Sequence, residues 1–338
     1  MPPTMKDVAE LAGVSVKTVS RFVNREPYIR PEVARRVLAA IDELGWVANS
    51  AARALRTGRQ GRVGIAVAEL RRPALAILVE ALVQEVERRG LMATVEPTHR
   101  DPQRVARVLA ARGHHFDGLI MIGPCDEQLY PSDALGKHPV VMVQGGHGTV
   151  TMDRVDEDVA EAAALSARHL AVMGRRRPVL LGADRALVGP YETSGPSAVL
   201  RAALSAAGID AAAIPQIALT GGDDREAGAS AAARALEQHP ELDSVLCTND
   251  EVALGALTTL VAAGVLVPDD VAVIGYDALE HGQFSTPSLT TIDPGASHLA
   301  RAALELLGDR MAGSAPERPQ VLTTPVALLR RESTMGRR

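Results

Sequence analysis

From Arg62 onward the chain repeats one pattern, a short apolar run followed by a longer alanine-rich stretch with apolar residues at helical spacing. Short apolar runs bounded by turn residues read as buried strands, and longer stretches with a period near 3.6 read as helices. The strand candidates are VGIAVAE, LMATVEP, DGLIMIG, HPVVMVQ, RRPVLLGA, DSVLCTND, VAVIGYD and LTTI. The helix candidates between them are PALAILVEALVQEVERRG, RDPQRVARVLAARG, VAEAAALSARHLAVMG, SAVLRAALSAAG, REAGASAAARALEQHP, VALGALTTLVAAG and SHLARAALELLGDRM. Such alternation restricts the body of the chain to a doubly wound α/β architecture, in which ligands sit beyond the carboxyl ends of the strands.

The first sixty residues follow another rule. Thr4 and Asp7 read as a helix cap, and Val8, Leu11 and Ala12 as the buried stripe of the helix they start. Gly13 and Val14 break it, Ser15 caps a second helix with Val19, Phe22 and Val23 inward, and Pro31 opens a third that buries Val33, Val37, Leu38, Ile41 and Leu44. Three short helices with a glycine turn between the first two make a helix-turn-helix. The charge divides at the same place: residues 1–60 carry ten basic and six acidic side chains, so the net −5 of the chain is +4 on this module and −9 on the body. A basic module on an acidic body suits a polyanion partner at one end only.

The outward face of the second helix supplies the means. Ser15, Thr18, Ser20 and Asn24 can donate to phosphate oxygens and fix register on a duplex. Lys17 and Arg21 can reach base edges in the major groove, and Val16 can meet a thymine methyl. MKDVAELAGVSVKTVSRFVN resembles the DNA-binding headpiece of the LacI/GalR family of bacterial transcription regulators, sharing K-D-V-A, A-G-V-S and T-V-S-R, and ELGWVANSAARAL is similar to the segment that follows. The resemblance implies a headpiece over residues 1–48, with Thr4 among its DNA contacts, and a hinge helix and linker over 49–60. Asn49, Ala52, Arg53, Leu55 and Arg56 would then contact DNA, Leu55 as the wedge that opens a minor-groove step. Trp46 stands where the family has tyrosine, Ala48 for its proline, Arg30 for a capping serine and Ala34 for a threonine.

The resemblance runs on through TNDEVALGAL, PDDVAVIGYD and FSTPSLTTI to about residue 331. It implies an effector-binding and dimerisation domain over 61–331, two-lobed and like a periplasmic binding protein. The N-lobe would span about 61–155 and 292–319, the C-lobe about 156–291 and 320–331, with 332–338 a tail. Effector contacts fall on Glu69, Gln144, Asp158, Glu192, Asn249 and Asp277; Asn249 and Asp277 match family positions, and Gln144 stands where the family often has Asp. A carboxylate at a strand end also commonly caps the next helix or accepts loop amides. The family's common arginine is replaced by Pro196, and its aromatic positions read RRPALA and GGDD. A pyranose wants a flat ring and a guanidinium. Acidic residues here (Glu69, Glu157 or Asp158, Glu192, Asp223, Asp224, Asp277) point instead to a cationic or strongly hydrogen-bond-donating effector such as an amine-bearing sugar, or to a degenerate pocket.

Other classes find little support. No phosphate-binding G-x-x-x-x-G-K-[ST], zinc-protease H-E-x-x-H or nucleophile G-x-S-x-G occurs, so neither an enzyme nor a cofactor is expected. His114 and His115 diverge on a helix and read as a solvated helix end. Cys125 and Cys247 are too few for a disulfide scaffold and suit small core positions. No apolar run approaches the ~18 residues of a membrane span, and the MPPTMKDVAE start has no secretory character, so a cytoplasmic chain is expected. The reading is a repressor that binds double-stranded operator DNA as a homodimer under control of a small molecule. Without a leucine-heptad tail after Arg331, a dimer is expected over a tetramer. The alternatives are a solute-binding protein with a helical extension, a regulator whose degenerate pocket yields control to a protein partner, and an enzyme of doubly wound fold.

Overall fold

The structure, a computed structural model, describes residues 3–23, 28–46, 59–123, 139–145, 152–182, 196–210 and 214–336. Asn24, Ala48, Asn49, Ala52, Arg53, Leu55, Arg56, Cys125 and Glu192 lie outside them. The chain forms two compact units, residues 1–61 and 62–338.

In the first unit α1 (Met5–Leu11), α2 (Val16–Val23) and α3 (Pro31–Leu44) enclose Val8, Ala9, Ala12, Val19, Val37, Ala40 and Trp46. Thr4 and Asp7 close a capping box at the head of α1, and the Thr18 backbone N–H donates to Ser15 Oγ at 3.1 Å at the head of α2. Arg30 precedes α3 without any side-chain cap, so the serine it replaces is not compensated. Gly45 ends α3 in the left-handed region, φ +57°, where a side chain would be strained. Trp46, which follows it, is buried in the core of the three helices. Leu11 and Leu38 depart from expectation at 45% and 51% exposed. Each lies one position to the side of the row (Val8 and Ala12; Val37 and Ile41) that faces the other helices, and so small a bundle covers only a narrow stripe.

The second unit has two lobes, each built on a sheet. The described strands of the first lobe are β1 (Arg62–Val67), β2 (Met92–Pro97), β3 (Gly118–Ile122), β4 (Val140–Val143), β5 (Asp153–Glu157) and, from late in the chain, β11 (Val321–Thr324), in the order β11-β5-β4-β3-β1-β2 and all parallel. The helices α4 (Pro73–Arg88) and α11 (Ala296–Ala312) bury Leu78, Leu82, Leu299 and Leu307 against one face, and α5 (Pro102–Ala110) buries Val105 and Leu109 on the other. In the second lobe β6 (Pro178–Leu181), β7 (Gln216–Ile217), β8 (Ser244–Cys247), β9 (Ala272–Tyr276), β10 (Thr290–Asp293) and β12 (Ala327–Leu329) run β12-β10-β9-β8-β6-β7, with β12 alone antiparallel to its neighbour. The helices α6 (Val159–Val172) and α7 (Pro196–Ala206) cover one face of this sheet, and α8 (Arg225–Gln238) and α9 (Asp250–Ala262) the other. Two short helices, α10 (Glu280–Gln283) and α12 (Glu332–Met335), complete it.

The lobe boundaries differ from those expected. The second sheet runs to Asp293, and β11 pairs with β5, Val321 opposite Arg154, so 320–324 belongs with the first lobe rather than the second. Residues 332–335 are no loose tail: Ser333 and Thr334 are wholly buried, and Ser333 Oγ donates to the Val273 carbonyl at 2.7 Å. The chain thus crosses between lobes near Asp158, Pro294 and Pro325, and the Asp158 N–H donates to the Thr324 carbonyl at 2.9 Å, tying the outer two crossings together. His114 and His115 fall in a turn beyond α5, and Cys247 is buried in β8.

The pair α8 and α9 meets backbone to backbone. A Cβ on Gly255 would overlap the Arg225 carbonyl oxygen and lie 2.8 Å from Ala229 N, and one on Gly228 would lie 2.7 Å from Val252 Cα. Backbone cannot yield as a side-chain tip can. Gly255→Ala is therefore expected to destabilise the second lobe by ~1–3 kcal/mol, outweighing alanine's helical advantage, as a lower urea midpoint.

Candidate functional site

The first unit presents one face with the chemistry to read a duplex. Val19 is fully buried and anchors α2, while Ser15, Val16 and Lys17 are exposed and Thr18, Ser20 and Arg21 partly so. Val16, 44% exposed, is an apolar side chain with no core to enter. Ser15 Oγ lies 2.9 Å from Thr18 Oγ1, so the hydroxyls order one another at the helix start. Thr4 is exposed, and its capping partner Asp7 is held below the usual carboxylate range by the Thr4 backbone N–H and hydroxyl. A rigid helix carrying Lys17 and Arg21 among short hydroxyls can sit in a major groove and donate to base edges and phosphates together.

In the second unit, carboxyl ends of strands from both lobes face each other. Glu69 follows β1, Gln144 follows β4 and Glu157 ends β5; Asn249 follows β8, Tyr276 ends β9 and Asp277 follows it. The Tyr276 hydroxyl donates across the seam to Glu157 Oε1 at 3.5 Å, and the Arg72 guanidinium, at the head of α4, forms an ion pair with Asp223 of the opposite lobe. Glu157 also accepts from the Gln144 side chain, while its Oε2 is buried with no hydrogen-bond partner.

The proposed effector residues divide by neighbour parity. Of each adjacent acidic pair, one turns into the seam and the other caps a helix. Asp158 caps α6, accepting from Glu161 N at 2.9 Å, while Glu157 faces the seam. Asp224 caps α8 through Ala227 N at 3.0 Å, while Asp223 meets Arg72. Asn249 spends both ends of its amide within the lobe, accepting from Val252 N at 2.8 Å and donating to the Asp223 carbonyl at 3.0 Å. Glu69 is half-exposed, 3.8 Å from Arg71. Asp277 is partly buried at φ +108°, a strained backbone, and its carboxyl makes no hydrogen bond among the described residues. Sequence reasoning did not foresee Tyr276 or Arg72. A guanidinium does reach the seam, from Arg72 in the RRPALA segment rather than from the position that Pro196 occupies.

Electrostatics follow from burial. Desolvation raises Asp277 well above the carboxylate range, and the charges of Asp250, Glu157 and Asp223 push further while Arg72 opposes them. Desolvation likewise raises Glu157 and the Tyr276 phenol. Asp250, fully buried, is pushed up to about 7 by desolvation, although Thr291 Oγ1 at 2.6 Å and Leu279 N at 2.7 Å donate to it. A carboxyl whose folded pKa lies above its unfolded value of 3.8 stabilises most below that value, and the contribution is lost as pH rises through about 7. Unfolding stability is therefore expected to fall between pH ~4 and ~7, by at most ~4 kcal/mol from this group. Asp250→Asn, which keeps an acceptor for Leu279, should flatten that slope in urea titrations; an unchanged slope would remove Asp250 from the account.

The chain matches two family models, that of the bacterial regulatory proteins of the lacI family over residues 4–49 and that of the periplasmic binding protein-like domain over 167–334. It is 30% identical over 336 residues to the ribose operon repressor of Escherichia coli (strain K12), covering 97% of this chain and 98% of the relative. It is 28% identical over 333 residues to the HTH-type transcriptional repressor PurR of Mannheimia succiniciproducens, covering 97% and 98%. Among solved structures it is similar to the lac repressor dimer bound to operator and the anti-inducer ONPF, with TM-score 0.78, 25% identity and 99% of each chain covered. It is also similar to the transcriptional regulator CelR–cellobiose complex, with TM-score 0.68, 28% identity and 98% and 99% covered. The chain belongs to the LacI family of bacterial transcription regulators. It is a DNA-binding regulator and not an enzyme, with a helix-turn-helix headpiece and a two-lobed effector domain like a periplasmic binding protein. No described helix is long and apolar enough to cross a membrane.

Proposed function

We propose that the protein is a repressor that binds a two-fold-symmetric operator as a homodimer in the bacterial cytoplasm and is controlled by a small molecule in the interlobe seam. The observation that carries the DNA-reading half is the row Ser15, Val16, Lys17, Thr18, Ser20 and Arg21, displayed on a helix pinned by buried Val19. Lys17 and Arg21 read bases, Val16 meets a thymine methyl, and Thr4, Ser15, Thr18, Ser20 and Asn24 hold phosphates. Asn49, Ala52, Arg53, Leu55 and Arg56 form the hinge that enters the minor groove, with Leu55 as the wedge.

Support for the dimer comes from an apolar groove on the second lobe, where Leu254, Leu257, Val261 and Phe284 line an open concavity and Phe284 is 74% exposed. A large exposed aromatic beside aliphatic side chains suits burial against a second copy. For the effector, Gln144, Asp277, Glu69 and Glu192 are the positions that contact the ligand. Asp158 and Asn249 act by holding the walls through their helix caps. Ligand and operator oppose each other with one coupling energy, so either weakens the other by the same factor.

Selection of bound sites from random duplex DNA, followed by footprinting, tests this reading. The expected product is a palindrome with half-sites about one helical turn apart, and Leu55→Ala should lose protection at its centre. Enrichment of a lone asymmetric half-site, or no enrichment, would overturn the dimeric repressor.

A further inference from the structure

We propose that the interlobe seam takes a small organic cation, a protonated amine or guanidinium, in preference to a neutral sugar, seated between Glu157 and Asp277. The proposal rests on the effector reading above and names the chemistry of that site.

Four carboxyls gather at the seam, and two of them are already satisfied. Asp250 accepts from Thr291 Oγ1 and Leu279 N, and Asp223 is paired with Arg72. The other two are not. Glu157 keeps one oxygen buried without a partner, and Asp277, only partly buried, makes no side-chain hydrogen bond among the described residues. The buried Glu157 oxygen is costly to leave without a partner, so the group it lacks is an N–H or O–H donor, and Asp277 lies beside it as a second acceptor.

Charge chooses between those donors. The groups that face Glu157 are Asp156 and Asp158 on its own stretch, Gln144 from β4, and Tyr276 and Asp277 from β9. Those that face Asp277 are Asp250, Glu157 and Asp223, with Arg72 the opposing charge, while Arg331 acts on Asp250. Arg154, the nearest further cation in sequence, is taken by Asp156 at 2.6 Å. A neutral hydroxyl would meet two carboxyls without relieving their repulsion, whereas a positive donor does both.

A metal ion would answer the same charge, but no described group of three or more His, Cys, Asp or Glu side chains is arranged to hold one. An ammonium or guanidinium needs only separate acceptors at its several N–H groups. The seam already shelters such a group in the guanidinium of Arg72.

Because a cation favours the charged carboxyls, its binding should release protons and tighten as pH rises. The test uses the full-length protein and two matched pairs in calorimetry, D-glucosamine against D-glucose and putrescine against 1,4-butanediol. Within each pair the amine is expected to bind about tenfold tighter or better near pH ~6.5, and the preference for putrescine, whose amines stay protonated, should widen toward pH ~8. Glu157→Gln and Asp277→Asn, each tested separately, should each erase that preference. Equal or tighter binding of the neutral member, or no binding of either amine at millimolar concentration, would overturn the proposal. Operator affinity measured on the same samples separates the two readings. If a neutral sugar releases operator and the amines do not, the cation proposal fails and the effector reading stands. If an amine binds at the seam and operator affinity is unmoved, the effector reading fails and the cation site stands.

Discussion

Arg21→Ala should abolish selective DNA binding while leaving the thermal midpoint of the protein unchanged. The headpiece core is Val8, Ala12, Val19, Val37 and Trp46, all buried, and Arg21 lies at its margin, only partly covered. Removing its guanidinium therefore leaves that apolar core intact. On DNA a bidentate base contact is worth ~1–3 kcal/mol, and a dimer loses it in both half-sites, so affinity for the selected operator should fall by about two orders of magnitude or more. Binding to random duplex should weaken far less, by only the share that one positive charge per headpiece contributes to attraction for phosphates. Titrations of both duplexes at one salt concentration separate the outcomes. An equal loss on both would recast Arg21 as a phosphate contact.

The second large effect is on the fold. Asp153, 2% exposed at the start of β5, accepts from Arg310 Nε at 2.5 Å, Arg310 Nη2 at 2.8 Å and Gln320 N at 2.8 Å. Arg310 in turn donates to the Arg318 and Pro316 carbonyls, so one ion pair binds β5, the end of α11 and the segment leading into β11. These are the pieces flanking the lobe crossings. Breaking a buried pair by removing one partner costs ~3–5 kcal/mol, because the other charge stays behind uncompensated. Arg310 is partly exposed, so Asp153→Ala is expected near the lower end, with Asp153→Asn milder because it keeps an acceptor for Gln320 N. Urea unfolding measures both. A change below ~1 kcal/mol for Asp153→Ala would mean that the pair behaves as a surface bridge.

The same ion pair shows why part of the fold was illegible in the sequence. The apolar strands that make the sheet centres, such as VGIAV and GLIMI, announce themselves, and so do the alanine-rich helices over them. DRVDE does not read as a strand, because its buried aspartate is made tolerable by an arginine 157 residues away. VLTT is a short edge strand, buried only at Thr324, with no apolar run to show its lobe. In the headpiece the helices were plain, yet Leu11 and Leu38 proved exposed because the bundle's buried stripe is narrower than a helix's apolar one.

At the seam, sequence located the strand ends but not which of two neighbours turns inward. Side chains alternate between faces along a strand, and a helix start needs a cap. So Glu157 enters the seam while Asp158 caps, and Asp223 while Asp224 caps. Arg72 was hidden for another reason: its partner comes from the opposite lobe, a pairing that only the three crossings of the chain create.

The central claim is that the headpiece reads sequence and does more than attract a polyanion. Fluorescence anisotropy of the full-length protein, on its selected operator and on a random duplex of equal length at one salt concentration, measures this directly. The operator is expected to bind ~10³-fold tighter or more. Equal affinities for the two duplexes would contradict the account.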